Sequence, residues 1–100
     1  MVKHVIIWNL KEDFSDNEKA VIKQNVKTNL EALAGKIDGL IDIKIQTEFL
    51  LTSTGDLMLD STFTDFDALK SYAVHPLHQE VANKFVRPFT ASRSCVDFEI

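Results

Sequence analysis

Val2-Lys3-His4-Val5-Ile6-Ile7-Trp8-Asn9-Leu10 is a run of β-forming residues in which His4, Ile6, Trp8 and Leu10 alternate with Val5, Ile7 and Asn9, and both sets are largely apolar. Side chains alternate across a strand, so this composition reads as a strand buried on two sides. Everything downstream must supply those two covers. Lys11 to Phe14 is a polar connection, and Ser15-Asp16-Asn17-Glu18 has the form of a capping box, so a helix is expected to begin there. Ile22, Val26, Leu30, Leu33 and Ile37 then keep to one stripe of an amphipathic helix, with Gly35 and Gly39 bracketing its end.

Leu40 to Leu51 alternates, with Ile41, Ile43, Ile45 and Thr47 on one face and Asp42, Lys44, Gln46 and Glu48 on the other, which predicts a half-exposed strand. The turn residues Thr52 to Asp56 send the chain back through Leu57 to Phe63 as an antiparallel partner. Thr64 to Asp67 resembles a second capping box, followed by Phe66, Leu69 and Tyr72 on a short helix; Asp65 and Asp67 suit the positive end of its dipole. Proline is tolerated at the first helical position and disfavoured inside, so one helix should end near Ala73 and another start at Pro76, with His75 near its cap. Leu77, Val81 and Phe85 are the expected stripe of that helix, Pro88 its end, and Ser94 to Ile100 a last strand with Val96, Phe98 and Ile100 on one face. The order strand, helix, strand, strand, helix, strand, joined by right-handed crossovers, gives a ferredoxin-like α+β fold, βαββαβ: a four-stranded antiparallel sheet with both helices on one face. The face carrying Val5 and Ile7 is left uncovered, and a second copy of the sheet is the simplest cover.

Composition narrows the function classes. The 100 residues, 45% hydrophobic and 26% charged, suit one globular domain spanning 1–100, without repeat or linker. Lys and Arg number 11 against 15 Asp and Glu, for a formal net charge of −4, which argues against nucleic acid as a partner. No apolar run approaches the roughly 20 residues of a membrane span, and Met1 to Leu10 lacks the features of a signal peptide, so no membrane association and a cytoplasmic location are expected. The single cysteine, Cys95, excludes an internal disulfide framework and lacks the sequence context of an activated nucleophile. Three glycines form no phosphate-binding loop, so no nucleotide or flavin cofactor is expected.

The scarce chemistry gathers in Tyr72-x-x-His75-Pro76-x-His78. A neutral imidazole can take a proton near pH 7, and a phenol can hydrogen-bond a developing oxyanion. His4 shares a strand face with Ile6 and Trp8, and lies under the same pocket if that face meets the helices. The plainer readings are a capping role for His75, core packing for Tyr72 and His78, and a half-buried strand histidine for His4. His75 and His78 offer two metal ligands with no acid or thiol placed to join them, so no metal is expected. Arg87 and Arg93 flank Pro88, where they could attract an anion, and read more simply as a solvated rim.

The opening Val2-Lys3-His4-Val5-Ile6-Ile7, the element order, the Tyr72-x-x-His75-Pro76-x-His78 run and the closing Val96-Asp97-Phe98 resemble the stress-responsive α/β-barrel (Dabb) family over essentially the whole chain. The resemblance implies a ferredoxin-like protomer and a homodimer whose two sheets face each other in a barrel. Most members have no established biochemical activity, and a fold does not fix a function. In the plant polyketide cyclases of the family, which carry out a cofactor-free aldol condensation, the resemblance implies His78 as general base and Tyr72 as the group that holds and polarises the carbonyl. Leu57 stands where that branch has a pocket histidine, a departure that weakens transfer of the reaction.

The reading adopted is a homodimeric small-molecule-binding protein of Dabb type that takes an apolar or carbonyl-containing ligand between sheet and helices. His78 and Tyr72 are its candidate catalytic residues; His4, Trp8, Leu57 and His75 are its candidate ligand-binding residues. A cyclase-like lyase and a non-catalytic, stress-associated structural dimer stay open beside it. A cofactor-free monooxygenase ranks lower because the motif resembles the other family.

Overall fold

A computed structural model of the protein describes residues 1–100. Its elements are β1 (Val2–Leu10), α1 (Asp16–Glu31), β2 (Leu40–Gln46), β3 (Leu57–Phe63), α2 (Phe66–Val74), α3 (Pro76–Val81), a π-helical turn (Ala82–Val86) and β4 (Thr90–Glu99). The strands form one antiparallel sheet in the order β2-β3-β1-β4, the ferredoxin-like arrangement. β1 is therefore central, as its two-sided apolar pattern requires. Val2, His4, Ile6, Trp8 and Leu10 are all buried, and the apolar members of that set share a core cluster with Ile22, Val26 and Leu30 of α1 and Leu69 and Tyr72 of α2.

The opposite face has no helix on it. Ile7 of β1 and Val96, Phe98 and Ile100 at the β4 end are 44, 58, 47 and 61% exposed, and Val5 pairs with Val96 in the β1–β4 register. An apolar patch of this kind on a sheet face marks an association surface.

α1 starts as its capping box dictates: the Glu18 amide donates to Ser15 Oγ at 3.2 Å and the Ser15 amide donates to Glu18 Oε1 at 2.9 Å. The helix stops at Glu31, and Leu33 and Ile37, expected on its stripe, are buried from the turns that follow. Gly39 holds φ +83°, and a Cβ there would meet Ala68 Cβ at 2.5 Å, so this connection needs glycine both for its backbone and for its close approach to α2.

Other details also differ from the sequence expectations, and β4 already begins at Thr90 rather than at Ser94. β2 ends at Gln46 rather than Leu51, and Phe49, Leu50 and Leu51 project from an exposed connection. Within β2 a register irregularity between Leu40 and Asp42 turns Ile41 outward while Leu40, Ile43 and Ile45 face the core, because a bulge resets the alternation. The cap of α2 is Asp65, whose Oδ1 accepts from the Ala68 amide at 2.8 Å, not Thr64, and Phe66 is left exposed. Of the expected stripe after Pro76, Val81 packs against the core while Leu77 is exposed, and in the π-helical turn, which adds a residue to the helical period, the buried positions are Ala82 and Val86 rather than Phe85.

Candidate functional site

The break between α2 and α3 builds the site. Pro76 has no amide hydrogen, and the Leu77 amide donates to His75 Nδ1 at 3.1 Å instead of to the carbonyl four residues back. That carbonyl, Ala73 O, is thereby released to two side chains: His78 Nδ1 at 3.2 Å and Gln79 Nε2 at 2.6 Å. A carbonyl only accepts, so His78 Nδ1 carries the proton and Nε2 keeps its lone pair free. The His-Pro-x-His spacing thus fixes the imidazole of His78 in one tautomer. Burial holds that imidazole below the usual histidine pKa, the bond to Ala73 opposes the shift, and the charges of Arg87, His4 and Arg93 add to it.

Tyr72 sits one turn earlier on α2, almost fully buried, with its ring 4.2 Å centroid to centroid from His78 at 36° and 5.0 Å from Phe63. Its hydroxyl is buried without a hydrogen-bond partner, and burial pushes the phenol pKa well above its ordinary value. The group is a protonated donor at any physiological pH.

His4 reaches the same place from the sheet, its ring 6.3 Å from that of Tyr72. The β1–β4 register sets it opposite Asp97, and His4 Nδ1 lies 2.5 Å from Asp97 Oδ1. A carboxylate only accepts, so His4 Nδ1 is the donor of this pair. Cys95 completes a cluster with Sγ 3.7 Å from His4 Nδ1 and 3.6 Å from Asp97 Oδ1. His, Cys and Asp are all metal-ligating types, but two N/O ligands on a tetrahedral zinc stand about 3.3 Å apart. At 2.5 Å, His4 and Asp97 are spaced as a hydrogen-bonded pair. Burial, followed by the charge of Asp97, raises the thiol pKa of Cys95, so the sulfur is not activated as a nucleophile.

His4, Tyr72 and His78 border a cavity of about 360 Å³ between β1, β4 and the helical layer, lined mainly by apolar side chains. Of the six residues singled out from sequence, His4, Trp8, Tyr72 and His78 line it together. Leu57 does not: it is fully buried in the core opposite Trp8, and the β3 residue at the cavity wall is Leu59, the next inward-facing position. His75 does not either; its imidazole caps α3 and borders a shallow polar depression with Lys36, Thr64 and Ser71. Asp97 carried no sequence signal for a role at His4, because the pairing depends on strand register across 93 positions. Arg87 and Arg93, read from sequence as a solvated rim, both line the cavity.

Fold and site together define a ferredoxin-like α+β domain with an apolar cavity that holds two anchored imidazoles and a buried phenol. The chain belongs to the stress-responsive A/B barrel (Dabb) domain family, whose family model matches residues 2–100. Among solved structures it resembles a dimeric ferredoxin-like protein of unknown function from Bacteroides fragilis, with a TM-score of 0.91 and 33% identity over 99% of this chain and 95% of that one. A Dabb family protein from Mesorhizobium loti aligns with a TM-score of 0.78 and 13% identity over 99% and 95% of the two chains. The hydroxynitrile lyase of Passiflora edulis aligns with a TM-score of 0.78 and 15% identity over 99% and 92%. No functionally curated protein matches the chain. No helix is long and apolar enough to cross a membrane.

Proposed function

We propose that this protein is a homodimer that binds a small, largely apolar, carbonyl-containing molecule in the cavity between β1, β4 and the helices. The observation that carries the ligand reading is the Tyr72 hydroxyl: a buried donor without a partner, on a residue at the cavity wall. Leaving such a group unpaired costs about 1–3 kcal/mol, which a ligand carbonyl would recover. Trp8, the only tryptophan, lines the same wall and reports occupancy. Titration with 2-acetylnaphthalene should change Trp8 fluorescence saturably; no saturable change up to millimolar ketone would contradict the reading.

The dimer reading rests on the uncovered patch of Ile7, Val96, Phe98 and Ile100, and the Bacteroides fragilis protein is itself described as dimeric. Ile7→Asp puts a charge at its centre and should yield monomers or insoluble protein; a dimer unchanged at low concentration would refute this interface.

A second reading, acid–base chemistry on the bound carbonyl compound, is favoured by the tautomer of His78. In this reading, Nε2 removes a proton from the carbon next to the carbonyl, the electron pair moves onto oxygen as an enolate, and the Tyr72 hydroxyl donates to that oxygen. Attack of the enolate on a second carbonyl then forms the carbon–carbon bond of an aldol, and the new alkoxide recovers the proton from His78. The step needs no cofactor, and the Passiflora edulis relative, a lyase, shows that the fold accommodates an enzyme. Deuterium exchange at the methyl group of 2-acetylnaphthalene tests the first half-step. The protein should accelerate exchange and His78→Ala should abolish the acceleration without altering the fold; equal rates would sink the base assignment.

A further inference from the structure

Arg87 and Arg93 are the only arginines of the chain, and both line this cavity, whereas no lysine and no carboxylate lines it. In a protein of net charge −4 this is a local reversal of sign. Neither guanidinium has a carboxylate within salt-bridge distance; the lysine salt bridges join Lys3 to Asp60, Lys27 to Glu31 and Lys70 to Asp67, and Asp97 is hydrogen-bonded to His4. Arg87 is held instead by neutral oxygens, donating to Gln79 Oε1 at 3.0 Å and to Asn83 Oδ1. These bonds orient the fork and leave its charge uncompensated. Gln79 is in turn fixed by its bond to the Ala73 carbonyl, the acceptor that also anchors His78. One freed carbonyl therefore positions both the imidazole and, through Gln79, the arginine.

Arg93 comes from the sheet, on β4 across from Trp8 in the register, whereas Arg87 follows the π-helical turn. Both arginines are exposed at their outer side, so they stand at the mouth, with Tyr72 and the apolar wall deeper in. Both act on His78, whose imidazole they help to keep uncharged.

We infer that the ligand of this cavity is an amphiphilic anion: an apolar body with a carboxylate that is received between Arg87 and Arg93 at the mouth. Guanidinium groups match a carboxylate with paired, charge-assisted hydrogen bonds, and an apolar pocket ending in two of them discriminates acids from their neutral isosteres. The inference rests on the cavity being a ligand site and adds the chemical class of what enters it.

The probe pair is 2-naphthoate and 2-naphthamide, which have nearly the same shape and differ by one charge, measured by isothermal titration calorimetry on the full chain. Naphthoate should bind at least about 10-fold more tightly than naphthamide at low salt, and the preference should shrink as ionic strength rises. In the double variant Arg87→Gln/Arg93→Gln, naphthoate affinity should fall to that of naphthamide while naphthamide affinity stays within about 2-fold. The single variant Arg93→Gln, which leaves the Gln79 and Asn83 contacts of Arg87 in place, should lose part of the preference and melt like the wild type. Equal binding of the two probes to the wild type would overturn the anion inference and leave the cavity reading standing. Binding of neither would overturn both.

Discussion

The two halves of the sheet follow the same alternation and come to different ends. Over β2 and β3, the inward residues Ile45, Leu57, Leu59 and Phe63 are almost completely buried in a continuous apolar cluster. Along β4 every residue after Thr90 is exposed, and the residues on the helix side, Arg93, Cys95 and Asp97, are polar. The difference comes from the helical layer: α1 packs chiefly over β2, α2 touches β1, β2 and β3, and neither covers β4. Where a helix closes the sheet the chain spends its inward positions on packing. Where none does, those positions carry groups with hydrogen-bonding and charge, and the cavity forms along the boundary.

Substitutions should separate the halves by size of effect. In the packed half, Leu57→Ala removes a fully buried side chain and should cost about 2–5 kcal/mol, seen as a melting point lower by roughly 10 °C or more. If Leu57→Ala left the melting point intact, the contrast drawn here would collapse. At the edge of that half, Gly39→Ala should cost more than Gly35→Ala. Both glycines hold positive φ, but only at Gly39 would the new Cβ meet Ala68, whereas at Gly35 it meets nothing within 4 Å. Equal melting points for the two variants would show that the α2 contact at Gly39 has little energetic weight.

In the open half the effects on stability should be small and the effects on function large. His78→Ala should change stability at pH 7 by less than about 1 kcal/mol, since the ring is only half buried and bonds one carbonyl. The pH dependence of that contribution has a definite sign. Burial lowers the folded-state pKa of His78 below its unfolded value, so the unfolded chain binds the proton first. The stability tied to the neutral ring is therefore present above about pH 6.5 and is lost as the pH falls through the folded pKa. His78→Ala should lack this component, so wild type and variant should converge in relative stability on acidification. Denaturant melts from pH 7.5 to 5 would show it, and parallel curves would contradict the assigned shift. Tyr72 acts at the other end: its raised pKa adds stability that is present below about pH 10 and lost as the pH rises above it.

How much of this was legible in the sequence follows the same division. The fold was, because β1 is apolar on both faces and Ser15, Gly39 and Pro76 punctuate the chain through local rules that tertiary structure left intact. Ile41 faces outward because a bulge is set by pairing with β3, not by β2 itself, and Phe85 yields to Ala82 and Val86 because a π-helical turn carries no composition signal. In the site, Tyr72 and His78 were legible because their spacing around Pro76 is a local geometry. Asp97, Leu59 and the placement of both arginines at the cavity mouth were not, since each depends on register or on where the helical layer stops.

The central claim, that the cavity at this boundary is a ligand site built around the Tyr72 hydroxyl, is tested most directly by Tyr72→Phe, read for melting temperature and for 2-acetylnaphthalene affinity in the same preparation. Removing a buried hydroxyl that has no partner should leave the melting temperature unchanged or raise it, while the affinity for the ketone falls by about 10-fold. A melting temperature lower by several degrees with affinity unchanged would make the hydroxyl a structural group and contradict the account.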